Sequence, residues 1–126
     1  MIWWFLSTTW KFFNFNIFNI IPSAEDVHNP KNYENDALFR LEIRKRLREL
    51  INLGFHDAYR HIYPDKEGYT FWDYTSGAWQ KNNGMRIDHF LVSNSLINNV
   101  KDVKINKCPR GRQNPSAHTP IDIELA

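Results

Sequence analysis

The order of hydrophobic patterns along the chain constrains its fold most, because one helix-like segment is followed only by strand-like segments. Residues 36–53 carry an apolar stripe at helical spacing, made of Ile43, Leu47, Leu50 and Ile51. Asn35 or Asp36 can cap this helix, and Gly54 follows it where a helix commonly ends. Strand-like segments come next, at residues 69–74, 86–93, 100–107 and 119–125. We therefore predict a mixed class, α/β (α+β), with a substantial sheet.

The composition fits one folded domain of ordinary size. The chain has 126 residues, of which 42% are hydrophobic and 24% are charged, and this excludes a wholly disordered chain or a low-complexity array. Its net charge of +2 is compatible with a nucleic-acid ligand but does not identify one. Cys108 is the only cysteine, so no disulfide can form within the chain, and this fits a reducing compartment such as the cytoplasm.

The first 21 residues differ from the rest in their aromatic content. They hold eight of the 19 aromatic residues, and Lys11 is their only charge. Polar residues interrupt the apolar run, and neither the basic start nor the cleavage site of a signal peptide is visible. We predict a buried strand and a poorly ordered start here. A small membrane-associated protein is the alternative interpretation.

A basic cluster accompanies the predicted helix, at Arg44, Lys45, Arg46 and Arg48. It lies mostly opposite the apolar stripe, and this arrangement is typical of a solvated helix face. A helix face that contacts phosphate groups is the alternative.

Polar residues at strand ends are the candidates for chemistry. Asp88 lies inside an apolar strand, where a carboxylate faces solvent or accepts a hydrogen bond, and His118 lies in a loop before the last strand. If Asp88 reached His118, the carboxylate could fix the tautomer of the imidazole and stabilise its protonated form. Asn19 can serve as a metal or phosphate ligand only if other residues of a site lie beside it. The aromatic segment 69–74 is either core or an edge that holds an unstacked nucleotide or a sugar.

Five segments resemble one known family in the same order: residues 18–22, 52–60, 69–74, 84–88 and 115–120. From Phe18 to the C-terminus the chain resembles the second half of exodeoxyribonuclease III, in the abasic-site endonuclease branch of the endonuclease/exonuclease/phosphatase superfamily. Residues 1–17 do not match that family, so we expect one partial domain over residues 18–126. The resemblance implies part of a four-layer α/β sandwich, with about half of the family domain missing.

The resemblance also implies an activity. The family cleaves DNA phosphodiesters beside abasic sites and degrades duplex DNA from 3′ ends, with Mg²⁺ as cofactor and Mn²⁺ as a substitute. We thus expect a DNA repair nuclease whose partner is double-stranded DNA. Neither an obligate protein partner nor membrane association is expected.

Matching positions imply roles for eight residues. By resemblance, His118 contacts the scissile phosphate and acts as the base, Asp88 orients that histidine, and Asn19 stabilises the transition state. Asn19 and His118 also match positions at the family's metal site. A further set matches the apolar pocket for the extruded abasic sugar and its supports: Phe71, Trp72, Met85, Arg86 and Ile87.

Two departures from the family pattern bear on activity. Ile17 and Ala117 stand where the family has aspartates, and neither side chain can bind Mg²⁺ or take a proton. The family's first half, which carries further metal-binding and catalytic residues, has no counterpart here. We therefore expect an impaired nuclease, and a catalytically inactive remnant with residual DNA binding is the alternative.

Overall fold

The computed structural model describes the backbone of residues 3–6 and 13–126 and the side chains of residues 19–37 and 39–126. Two strands lie in the aromatic first segment, at Trp3–Leu6 (β1) and Phe13–Phe18 (β2). Three predictions apply to this segment: a buried strand, a poorly ordered start and membrane association. They concern side chains and residues that lie mostly outside the described part of the chain, so they remain predictions.

The larger sheet has four antiparallel strands in the order β1-β2-β4-β3. Strand β3 is Phe55–Asp57, and strand β4 is Asp88–Ser93, which confirms a strand within the predicted segment 86–93. Strand β4 lies between β2 and β3, so its backbone is paired on both sides, and its residues Leu91 and Val92 are fully buried in clusters with Leu47 and Val103, respectively. Its register pairs Asp88 with Phe18, so the chain leaves β2 beside the start of β4.

A second, two-stranded sheet follows in the chain. Strands β5 (Val100–Ile105) and β6 (Ile121–Leu125) pair antiparallel, which confirms the last two predicted strands with shorter ends. Val103 of β5 packs into a cluster with the short helices α2 (Ala58–Ile62) and α4 (Asn94–Ile97). This cluster also contains Val92, so it joins the two sheets through one core.

The predicted helix over residues 36–53 is shorter than expected. Helix α1 spans Leu41–Asn52, and neither Asn35 nor Asp36 caps it, because Arg40 is its N-terminal flanking residue. Residues Ala37–Phe39 form a separate 3₁₀ turn.

The reason for the shorter helix is the burial of Phe39, which packs in a core cluster with Ile21 and Met85. Arg44 fixes this break, because its Nε donates a hydrogen bond to the Phe39 carbonyl at 3.1 Å. Burial of Phe39 therefore outweighs continuation of the helix pattern.

The C-terminal end of α1 and the burial of its two faces agree in part with the prediction from the sequence. Gly54 follows the helix with φ +104°, and its N–H donates to the Ile51 carbonyl, so the predicted end is confirmed. Leu47 is the only fully buried member of the apolar stripe, and it packs on Leu91. The basic residues Lys45, Arg46 and Arg48 are exposed.

The aromatic segment 69–74 is not a regular strand, contrary to the prediction. Only Phe71 forms bridges there, one with Met85 and one with His118. Trp72 then turns inward and is fully buried in a cluster that includes Tyr69 and helix α3, which spans Ala78–Lys81. Burial of the Trp72 side chain in this core outweighs further backbone pairing, so the segment is extended but does not form a strand.

We expect Gly84→Ala to destabilise the fold, because an added Cβ would lie 2.7 Å from Trp72 Nε1 and 2.6 Å from the Tyr69 ring. Overpacking of this kind costs about 1–3 kcal/mol of the free energy of unfolding. Gly111→Ala is the matched control, since its Cβ would meet nothing closer than 3.6 Å, from Trp79. Urea unfolding measures both variants, and equal stability of the two would contradict the close packing around Gly84.

Candidate active site

Three segments converge at the start of β4. Asn19 follows β2 directly, Asp88 begins β4, and His118 precedes β6. The loop with His118 is attached to the aromatic segment on both sides of the histidine. The N–H of Trp72 donates to the Ala117 carbonyl at 3.0 Å, and the N–H of Thr119 donates to the Thr70 carbonyl at 2.8 Å.

Asp88 and His118 form a dyad. His118 Nδ1 lies 2.9 Å from Asp88 Oδ2, with 40% of the histidine side chain exposed and 3% of the aspartate side chain. Because an ionised carboxylate only accepts hydrogen bonds, Nδ1 carries the proton. Nε2 of the neutral ring is then left as an acceptor on the partly exposed side. The structure thus brings together the two residues whose contact the sequence could not establish.

Asn19 lies at the same end of the sheet. It is exposed and has φ +62°, a left-handed conformation that asparagine adopts more readily than most residues. The backbone pairing of Phe18 with Asp88 places Asn19 one residue beyond the start of β4.

Sequence reasoning did not identify Thr70, which fixes the start of β4. Its buried Oγ1 accepts hydrogen bonds from the N–H groups of Ile87 and Asp88, at 3.1 and 3.2 Å. The only signal for Thr70 in the sequence is a threonine among aromatic residues, and that pattern predicts a strand. Thr70 holds the backbone of Asp88 in place while the carboxylate holds His118.

The proposed pocket residues differ in accessibility. Phe71 is half-buried, and its ring meets the His118 ring edge-on with centroids 5.1 Å apart. Met85 and Ile87 are buried in one core cluster, and Trp72 donates from Nε1 to Asn82 at 3.1 Å. Phe71 is thus the one residue of this set that presents a partly open ring beside the dyad.

Arg86 lies at the centre of a buried ion cluster, not at the surface. Its Nε is 2.6 Å from Asp26 Oδ1, and its Nη2 is 2.6 Å from Asp57 Oδ2. Arg60 adds a second ion pair to Asp26 at 2.7 Å, and Nη1 of Arg86 lies 3.1 Å from His89 Nδ1. Sequence reasoning missed these partners, because 60 and 29 residues separate Arg86 from the two aspartates.

The cluster sets the charge states of its members. Burial alone raises the pKa of Asp26 and Asp57, but the charge and hydrogen bonds of Arg86 outweigh it and hold both carboxyl pKa values below the ordinary range. Burial, followed by the charge of Arg86, lowers the pKa of His89. His89 is therefore neutral at neutral pH.

A sequence profile of the endonuclease/exonuclease/phosphatase family matches residues 18–118. The chain belongs to this family. An exodeoxyribonuclease of Bacillus subtilis is 38% identical over 106 residues, which are 83% of this chain and 40% of that protein. These matches confirm the resemblance that the five sequence segments indicated.

Solved structures of family proteins superpose closely on the chain. A 3′ phosphatase, NExo, from Neisseria bound to a product DNA hairpin gives a TM-score of 0.83 at 32% identity, over 87% of this chain and 43% of that one. An AP endonuclease from Archaeoglobus fulgidus gives 0.80 at 32% identity, over 85% and 42%. The predicted α/β class is confirmed, and the chain spans about two fifths of the length of these family members.

The family is one of nucleases that generally depend on metal ions, but the donors described here do not form a metal site. No group of three His, Cys, Asp or Glu side chains that could hold an ion occurs among the described residues. Mg²⁺ prefers several oxygen ligands in octahedral geometry. Asn19 and His118 supply one amide oxygen and one imidazole, and Ala117 adds no ligand atom. This set does not fit Mg²⁺.

No helix in the described part of this family member is both long and apolar enough to cross a membrane.

We expect the ion cluster to make stability depend on pH in the acid range. The folded-state pKa values of Asp26 and Asp57 are depressed below the unfolded value of about 4. Their contribution is therefore present above about pH 4 and is lost as the pH falls through the folded-state values. Urea unfolding between about pH 7 and pH 3 measures this loss.

Two variants separate this effect from general acid unfolding. Asp26→Asn should cost about 3–5 kcal/mol at neutral pH and weaken the acid-side dependence, because it breaks a buried ion pair. Asp122→Asn removes an exposed carboxyl of β6 and should change neither quantity. An acid-side profile of Asp26→Asn as steep as that of the unchanged protein would refute the assignment.

Proposed function

We propose that this chain carries the His–Asp half of a DNA repair nuclease that hydrolyses DNA phosphodiesters at abasic sites and 3′ ends. The observation that supports this most is the 2.9 Å hydrogen bond between His118 and Asp88, with Phe71 against the imidazole. The proposed nuclease part is residues 18–126, with residues 1–17 outside it. The relatives' names, exodeoxyribonuclease and AP endonuclease, support the substrate class.

The dyad is suited to proton transfer at a phosphate. In the neutral ring, Asp88 holds the proton on Nδ1, so Nε2 accepts a proton from the attacking water. The water oxygen then bonds to phosphorus while the bond from phosphorus to the leaving sugar oxygen breaks, and that oxygen takes a proton from solvent. Asp88 stabilises the imidazolium that forms, and this charge also attracts the phosphate.

Two neighbouring residues complete the proposed roles. The amide N–H of the Asn19 side chain donates to the phosphate oxygen on which charge develops in the transition state. Phe71 packs on the deoxyribose of the extruded abasic nucleotide, because its half-buried ring lies beside His118. Met85 and Ile87 support that ring from the core, and Trp72 and Arg86 position the segments that carry it.

The proposed partner is double-stranded DNA, and the proposed location is the cytoplasm. Arg48 and its exposed neighbours on α1 supply positive charge for non-specific contacts with the phosphate backbone. The net charge of +2 is small, so we expect this attraction to be weak at physiological salt.

We propose that the nuclease is slow, because it holds Mg²⁺ or Mn²⁺ poorly. By resemblance, Ala117 replaces an aspartate of the family's metal site and Ile17 replaces its catalytic aspartate, and the remaining donors do not fit the ion. Loss of a charge-neutralising group at a phosphate costs several kcal/mol of transition-state stabilisation. The extreme case is a catalytically inactive remnant with residual DNA binding, and it is one outcome of the cleavage test described next.

Cleavage of a duplex with one abasic site, by the purified chain with about 10 mM Mg²⁺, tests the proposal. We expect slow strand scission that falls by about 10²–10⁴-fold in His118→Ala and in Asp88→Asn. His61→Ala, which removes an exposed histidine of α2, is the matched control and should cleave normally. Scission that does not change in His118→Ala would refute the role of the dyad. A gel shift without scission would leave only DNA binding.

Restoring the two carboxylates should increase the rate. We expect Ile17→Asp with Ala117→Asp to raise Mg²⁺-dependent scission by roughly tenfold or more, because one carboxylate returns to the metal site and the other returns to the family's catalytic position. The isosteric pair Ile17→Asn with Ala117→Asn tests whether charge matters beyond size. Isothermal titration with Mg²⁺ alone should show tighter binding by the aspartate pair only. Equal Mg²⁺ affinity of the aspartate and asparagine pairs would argue against this explanation of the slow rate.

A further inference from the structure

His89 is a buried polar residue that the proposed mechanism does not use. It follows Asp88 in β4 and is 1% exposed. Adjacent residues of a strand point to opposite faces, so Asp88 contacts His118 on one face while His89 contacts other groups on the opposite face. A histidine that is buried this completely requires partners for both ring nitrogens.

Both nitrogens have partners whose chemistry fixes the tautomer. Arg86 Nη1 can only donate, so His89 Nδ1 accepts its hydrogen bond at 3.1 Å. Nε2 then carries the proton and donates it to the Ile20 carbonyl at 2.7 Å. His89 therefore connects the Arg86 ion cluster to the backbone that follows β2.

The residue before this anchored carbonyl is Asn19, whose φ of +62° is a conformation that surrounding contacts have to maintain. Ile20 N–H donates to the Ile87 carbonyl at the long distance of 3.4 Å, so this bond constrains the turn only weakly. The 2.7 Å bond from His89 is the shorter of the two bonds at Ile20. It limits rotation of the Ile20–Ile21 peptide group, which is joined through the Ile20 Cα to the peptide group that follows Asn19.

We propose that His89 is a positioning residue for Asn19, which it holds in the left-handed conformation through the Ile20 carbonyl. The role of Asn19 at a phosphate rests on the proposed function, whereas the link between His89 and the conformation of Asn19 does not. Arg86 keeps His89 in the required tautomer, so the ion cluster influences the geometry at the proposed phosphate site through His89.

Two substitutions separate the two hydrogen bonds of His89. The amide nitrogen of glutamine occupies the place of Nε2, so His89→Gln keeps a donor for the Ile20 carbonyl. The amide of asparagine occupies the place of Nδ1, so His89→Asn keeps a partner for Arg86 but loses the bond to Ile20. Val92→Ala controls for general loss of stability, because Val92 is a buried residue of the same strand that packs in a different core cluster, with Ala58 and Val103.

Nuclear magnetic resonance of the full chain reports the link without any nuclease activity. In the unchanged protein we expect a proton on His89 Nε2, a scalar coupling from this nitrogen to the Ile20 carbonyl carbon, and an Asn19 amide coupling that fits positive φ. In His89→Asn we expect loss of that Asn19 coupling and about tenfold faster amide exchange at Ile20 and Ile21, the size of one hydrogen bond. His89→Gln should resemble the unchanged protein, and Val92→Ala should keep the Asn19 coupling.

A proton on Nδ1 in the unchanged protein would overturn the proposal even if every variant failed to fold. So would an Asn19 coupling that His89→Asn leaves intact in a folded chain.

A double-mutant cycle adds the functional readout. If His89 acts through Asn19, scission by Asn19→Ala with His89→Asn should equal that of Asn19→Ala alone. If the unchanged chain does not cleave DNA, the proposed function fails while the resonance measurements still decide the link.

Discussion

The buried guanidinium of Arg86 is the interaction on which the rest of the described fold depends. A charge in the interior costs several kcal/mol unless it is paired and fully hydrogen-bonded. Arg86 meets this requirement with Asp26 and Asp57, which come from the loop after β2 and from the end of β3. Removing either partner leaves a buried charge, so these three segments have to stay together for the chain to fold.

The ion cluster and the dyad meet at the start of β4. Arg86, two residues before the strand, contacts His89, and Asp88 between them in the sequence contacts His118. Thr70 holds the backbone at this point through the N–H groups of residues 87 and 88. The geometry of the dyad is thus tied to the packing of the ion cluster at the start of β4. This explains how a few residues position a histidine that lies 30 residues further along the chain.

Local chemistry determined which parts could be predicted from sequence. Gly54 ends α1 as expected because the left-handed position needs a residue without a side chain, and Ile121–Leu125 alternates clearly enough to be identified as a strand. The start of α1 and the aromatic segment 69–74 were wrong, because burial of Phe39 and Trp72 in separate clusters overrode the local pattern.

The candidate site follows the same division. The sequence supplied Asp88 and His118 as candidates, but no periodicity encodes a contact across 30 residues, and the resemblance alone joined them. Arg86 was expected to support a pocket and proved to be the centre of an ion cluster whose partners are distant in sequence.

Asp88 is held by contacts that belong to the described fold itself. Ile17 and Ala117 stand where the family resemblance leads us to expect aspartates, and neither residue carries a charge. Asp88 is a different case, because its carboxylate is buried and holds the proton on His118 Nδ1. The described fold therefore holds the dyad through its own side-chain and backbone contacts, and any affinity for a metal ion is a separate property of the chain.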